Sequence, residues 1–306
     1  MSRRRAALAA ILTAGVAASV LSACAPTGDD RPLVVVSTNI LGDVVEKLVG
    51  GDVEVMTLMR PDADPHSFEI SAQDAAHLRS ADLLVSNGLG LEEGLQQHLE
   101  AAVAEGVDSF VAGEAIEVLA YATGDAAGTP DPHFWTDPGR MTDVVEALAP
   151  RLSALAGADA AAVEEHVDAY LAQLESLDDD MTAAFAAIPA ERRALVTNHH
   201  VFGYLAARFG FRVVGAAIPG GTTLAAPSAS DLADLVTAID EHGVPAVFAE
   251  SSSPDRLMRA LADETGTHVE VIELYTESLT AEGGGAEDYL TMMRENTQRI
   301  VTGLSQ

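Results

Sequence analysis

The sequence predicts an α/β protein made of two parallel-sheet α/β lobes joined by one long rigid helix. Three observations carry that expectation. Short β-branched runs alternate with longer helical patterns, as in sheets buried on both faces. These runs fall into two groups of four, separated by a long gap. The gap itself holds one unbroken amphipathic stripe.

Taken in order, the first group is "LVVVST" (33–38), "VEVMTLM" (53–59), "ADLLVSN" (81–87) and "SFVAG" (109–113). The runs are close to continuously apolar, which suits parallel strands covered by helices. A loop, "YATGDAAGTPDP" (121–132), follows with Gly, Ala and Pro and no helical period. From 160 to 188, Val163, Val167, Tyr170, Leu171, Leu174, Leu177, Met181, Phe185 and Ile188 recur at spacings of three and four. Such a stripe marks one helix of roughly 43 Å at 1.5 Å per residue, ended by Pro189. A coiled-coil reading is weaker, because heptad regularity and paired flanking charges are missing. The second group is "ALVTN" (194–198), "FRVVGAA" (211–217), "PAVFAE" (245–250) and "HVEVIEL" (268–274). "EGGGAED" (282–288) then connects to a last helix over 287–304. The expected division is therefore 33–157 for the first lobe, 158–189 for the connecting helix and 190–306 for the second lobe.

The N-terminus bears on location. "MSRRR" is a short basic stretch, followed by an Ala-rich apolar run too short for the ~20 residues of a spanning helix. This reads as a secretory signal over 1–23. Leu21-Ser22-Ala23-Cys24 resembles the lipobox of bacterial lipoproteins, which implies a lipidated Cys24 at the mature N-terminus and a tether over 24–32. Cys24 is the chain's one cysteine. Once it is acylated, disulfides and thiolate metal sites are both excluded, and any metal must be held by His and carboxylates. The net charge is −30 and becomes −33 when Arg3, Arg4 and Arg5 leave with the signal. A surface of that sign repels phosphate backbones, so no nucleic-acid partner is expected.

Nine histidines are present. His77, His98, His166 and His242 sit in or at the ends of helical patterns and read as ordinary solvated or partly packed side chains, and His268 opens a strand. His66 and His133 differ. They occupy two similar proline-stiffened loops, "PDADPHSFE" (61–69) and "PDPHFWTDP" (130–138). Asp-Pro initiates turns in its own right, so each loop alone says little about its histidine. His199 directly follows "ALVTN". All three lie beyond the C-terminal ends of expected strands, where open α/β sheets gather ligand-binding groups. Two come from the first lobe and one from the second, as a site closed between lobes requires. For a fourth ligand the residues themselves leave Glu250, Glu273 and Glu277 open.

Together these segments resemble the TroA-like zinc/manganese-binding lipoproteins, the solute-binding components of metal ABC importers, over nearly the whole mature chain. "DPHSFEIS" matches the first motif of that family and implies that His66 is a metal ligand. "DPHFWTDP" matches the second and implies the same for His133. "TNHHVFGYL" matches the third, in a register favouring His199 over His200. "YTESL" stands where the family usually has Thr-Asp-Ser-Leu, so the resemblance implies Glu277 as fourth ligand, with a longer carboxylate arm than usual. It further implies a metal between the two lobes, an ABC permease in the membrane as partner, a lipid-anchored position on the outer face of the cell membrane, and no enzymatic activity. A monomer is expected.

Three imidazoles and one carboxylate form a compact shell that Zn²⁺ accepts in tetrahedral geometry. Mn²⁺ prefers more oxygen, which a bidentate Glu277 would partly supply. The Irving–Williams order favours zinc. The absence of histidine from 114–132 counts the other way, because many zinc-specific members carry a His-rich loop there. Asp64, Asp131 and Asp137 are candidates to orient ligand N–H groups. A zinc hydrolase is a poor rival, since catalytic sites keep an open water position and HExxH is missing. A metallochaperone and a surface adhesin of the same fold are rival readings too. One Trp and five Tyr are few for an organic-ligand cleft.

Overall fold

The computed structural model describes residues 31–305 apart from 123, 125 and 219; the expected signal, Cys24 and most of the tether lie outside them. The first sheet contains β1 (Leu33–Val36), β2 (Glu54–Thr57), β3 (Leu83–Ser86) and β4 (Ser109–Val111), in the order β2-β1-β3-β4. The second contains β5 (Ala194–Thr197), β6 (Arg212–Ala216), β7 (Ala246–Glu250) and β8 (Glu270–Leu274), in the order β6-β5-β7-β8. Every pairing is parallel. Of the four central strands, β3, β5 and β7 are buried along their whole length and β1 in all but its first residue, as their unbroken apolar text requires.

The helices are α1 (Asn39–Val49), α2 (Ala72–Ser80), α3 (Gln96–Ala104) and α4 (Pro138–Ser153) in the first half, then α5 (Ala160–Ala186). The second half adds α6 (Gly203–Phe209), α7 (Ala229–His242), α8 (Arg256–Asp263) and α9 (Tyr289–Leu304). Small differences from the sequence expectation have local causes. Thr38 leaves the first strand because its side chain caps α1 at Leu41 N. The last helix starts at Tyr289 rather than 287 because Asp288 is its cap, accepting from Thr291 N at 2.8 Å.

α5 is the long strut, about 40 Å at 1.5 Å per residue. Asp159 caps it by accepting from Ala161 N and Ala162 N. Its buried face is Val163, Val167, Tyr170, Leu174, Leu177, Met181 and Phe185. That face belongs to a single apolar core reaching from Val34, Val44 and Trp135 to Tyr204, Phe248 and Ile300, so both sheets share it. Two smaller cores cover the opposite faces, one around Leu78, Leu84 and Leu95, the other around Leu235, Val247 and Met258.

In each sheet the chain order reverses beside the strand that enters first, β1 or β5. Groups following those strands, and their neighbours, meet at the carboxyl ends of the sheets.

Candidate metal centre

Each of the four expected residues is carried by a loop leaving the carboxyl end of a strand. His66 follows β2, His133 follows β4, His199 follows β5 and Glu277 follows β8. The two Asp-Pro-His loops share a turn in which the Asp carboxylate accepts from the histidine backbone N–H two residues on. The distances are 2.8 Å for Asp64–His66 and 3.0 Å for Asp131–His133. They then diverge. Asp131 also accepts from His133 Nδ1 at 2.8 Å, whereas the second oxygen of Asp64 accepts from Ser67 Oγ and Thr223 Oγ1.

The four side chains converge. Glu277 Oε1 lies 3.0 Å from His66 Nε2, 3.0 Å from His199 Nε2 and 3.3 Å from His133 Nε2. His133 Nε2 is 3.4 Å from the Nε2 of both His66 and His199. His66 and Glu277 are 1% exposed and His133 and His199 fully buried, so no ion reaches them without movement of the protein.

Carboxylates accept hydrogen bonds behind two of the imidazoles. His133 Nδ1–H donates to Asp131, and His199 Nδ1–H donates to Glu250 Oε2 at 3.1 Å. With Nδ1–H so engaged, it is Nε2 that bares a lone pair toward the centre when the ring is neutral. Three nitrogen lone pairs and a carboxylate oxygen packed this closely repel one another unless a cation or protons lie among them. The ionisation of the cluster reflects that. Burial works to raise the Glu277 pKa, yet the charge of His199 and hydrogen bonds from all three imidazoles hold it well below the usual range. Burial works to lower the His199 pKa, yet Glu277 and Glu250 raise it well above the ordinary value. His133 is raised likewise, by Asp131 and Glu277 against burial.

The donor set fits a small divalent cation. A tetrahedron with ~2.0–2.1 Å metal–ligand bonds has edges of about 3.3–3.4 Å. Five of the six edges among these atoms run from 3.0 to 3.4 Å, and all four atoms lie within 4.8 Å of one another. Glu277 Oε2 is buried without a hydrogen-bond partner, as is His66 Nδ1.

The remaining candidates fall outside the cluster. Glu273 is exposed on β8, and Glu250 stands behind His199 rather than at the centre. Asp137 caps α4 through Gly139 N and faces Arg208 at 3.2 Å, so it orients no ligand. His200 packs near the Tyr121 ring and lines a cavity together with Asp131, Phe202 and Phe211. The "FGY" text after His199 gains a physical reason. Gly203 leaves room for Asp131 Oδ2, which a Cβ would strike, and Tyr204 Oη donates to Asp131 O at 2.9 Å and accepts from Leu119 N at 3.0 Å.

Several contributors gave no sequence signal. Tyr121 Oη lies 3.3 Å from His133 Nδ1 and donates to Gly221 O. Buried Glu92 accepts from Ser37 Oγ, Asn87 N and Gly88 N, and Asn87 Nδ2 donates to Pro132 O just ahead of His133.

Residues 34–303 match the family model described as the periplasmic zinc-uptake complex component A. The chain is 32% identical over 282 residues to the zinc-binding protein TroA of Treponema pallidum, covering 91% of this chain and 90% of that protein. It is 31% identical over 273 residues to the manganese-binding lipoprotein MntA of Halalkalibacterium halodurans, covering 89% and 88%. The solved structure of periplasmic TroA superimposes with a TM-score of 0.82 at 31% identity, covering 90% of this chain and all of that one.

Proposed function

The chain belongs to the family of the periplasmic zinc-uptake complex component A, and on that premise we propose that it captures a divalent transition metal outside the cytoplasm and delivers it to an ABC permease. The family is one of substrate-binding proteins of importers, not of enzymes. The observation that carries the proposal is the convergence of His66, His133, His199 and Glu277 on one buried point. In this reading all four are metal ligands, and the metal is cargo rather than a resident cofactor.

Zinc is the preferred ion. The near-tetrahedral spacing, the N₃O donor set and the Irving–Williams order all support it. Manganese is the second reading, supported by Glu277 Oε2, which is buried without a partner and available as a fifth donor. The protein works as a monomer anchored to the outer face of the membrane through lipid on Cys24. No helix of the described residues is long and apolar enough to cross a membrane. The first lobe is taken as 33–157, the connecting helix as 158–189 and the second lobe as 190–306.

Metal analysis of the purified mature protein, with competitive zinc and manganese titrations, tests the proposal. His66→Ala, His133→Ala, His199→Ala and Glu277→Ala should each weaken binding strongly. Wild-type affinity in all four variants would remove the site. Tighter binding of manganese than zinc would reverse the choice of ion.

A further inference from the structure

Asn39 is the first residue of α1, directly after the strand end and the Thr38 cap. It is 7% exposed and lies far from the ligands in sequence. Its carboxamide nevertheless sits where three segments meet. Oδ1 accepts from Leu279 N at 3.0 Å, while Nδ2 donates to Ser278 Oγ at 2.8 Å and lies 3.4 Å from Leu279 O. Nδ2 also donates to Arg60 O at 3.2 Å. One side chain thus grips the two residues after Glu277 and the loop that leads into His66.

The grip is reinforced on both sides. Asp62 N donates to Leu279 O at 2.9 Å, from a turn in which Asp62 holds φ at +61°. Before Glu277, Trp135 Nε1 donates to Thr276 O at 2.8 Å. The segment carrying Glu277 follows β8 of the second sheet, but on either side of Glu277, at Thr276 and at Ser278 and Leu279, it is held by the first half of the chain. Helix α1, which carries Asn39, is packed into the shared core through Ile40, Leu41, Val44 and Val45. It is therefore a rigid support for a ligand loop that has no regular structure of its own.

Resting on the metal-site reading, we propose that Asn39 is a positioning residue that sets where the Glu277 carboxylate sits relative to His66, and so tunes metal affinity. It touches no ligand atom and acts through the backbone on either side. Outer residues that orient ligands typically contribute about 10–100-fold to metal affinity.

The test is a double-mutant cycle on zinc affinity, measured by chelator competition, with Asn39→Ala and Glu277→Ala alone and combined. Asn39→Ala should weaken zinc binding about 10–100-fold in the wild-type background and far less once Glu277 is gone. An equal loss in both backgrounds means general destabilisation and overturns the proposal, as does wild-type affinity in Asn39→Ala. If Asn39→Ala does not fold, Ser278→Ala, which removes one partner of the carboxamide, decides by the same comparison. The visible spectrum of the cobalt-loaded protein adds a readout that stability alone would not move. It should change in Asn39→Ala, and an unchanged spectrum counts against the proposal. Failure of the wild-type protein to bind zinc would defeat the metal-site reading itself, whereas zinc binding that depends on Glu277 but not on Asn39 would defeat this inference alone.

Discussion

At the scale of single residues, Asp131 and Glu250 do different work from the imidazoles they support. Each accepts an Nδ1–H and so leaves Nε2 as the atom that can offer a lone pair once its proton is lost, a role that an amide fills poorly because it can turn its NH₂ toward the ring. Asp131→Asn and Glu250→Gln should each lower zinc affinity about 10–100-fold, read by the same competition assay. Protons compete for the site, with a definite sign. The raised His199 pKa means its pairing with Glu277 and Glu250 supports the metal-free protein fully below about pH 6.5 and is lost as pH rises through the raised value. The lowered Glu277 pKa means that its support is present above about 4.5 and is lost as pH falls through the lowered value. A divalent metal held as proposed would have to displace the His199 and His133 protons, so the stabilising effect of zinc should grow between about pH 5.5 and 8. Thermal melts with and without zinc across that range measure it, and a pH-independent increment would contradict the linkage. The clustering of His66, His133, His199 and Glu277 is legible at this scale because each lies in a short motif. Asn39, Asn87, Glu92 and Tyr121 are not, because they act on backbone groups or rings brought near by folding, and no local spacing marks such a role.

Among the elements, the eight strands are readable because β-branched runs buried on both faces leave little else for the chain to do. α5 is readable from its stripe, and its ends, Ala160 and Ala186, nearly coincide with the expected 160–188. What the pattern could not reveal is what the stripe faces. Leu174 and Leu177 are buried in the core common to both sheets. Leu177→Ala should therefore cost about 2–5 kcal/mol in chemical denaturation, and a loss below about 1 kcal/mol would show that this face is not core. The short helix α6 carries a different constraint. In Gly203→Ala the new methyl meets Asp131 Oδ2, so it should push Asp131 off His133 and weaken zinc binding while leaving most of the fold intact. Unchanged affinity in that variant would mean the loop yields freely.

For the whole molecule, the strut and the shared core argue against a wide hinge. The two sheets cannot swing far apart without exposing Tyr204, Phe248 and Trp135, side chains now nearly or fully buried. Capture and release should proceed by small shifts of the loops that carry His66, His133, His199 and Glu277. Small-angle scattering with and without zinc should show nearly the same radius of gyration, and a change of several ångströms would refute the rigid-strut picture. The same common core has a consequence for dissection of the chain. The boundary between the halves is a matter of chain order and not a seam along which the protein can be cut. Residues 33–157 produced alone would leave the apolar faces of α1 and α4 uncovered, so that fragment should be insoluble or unfolded. The intact protein should melt in one calorimetric transition rather than two.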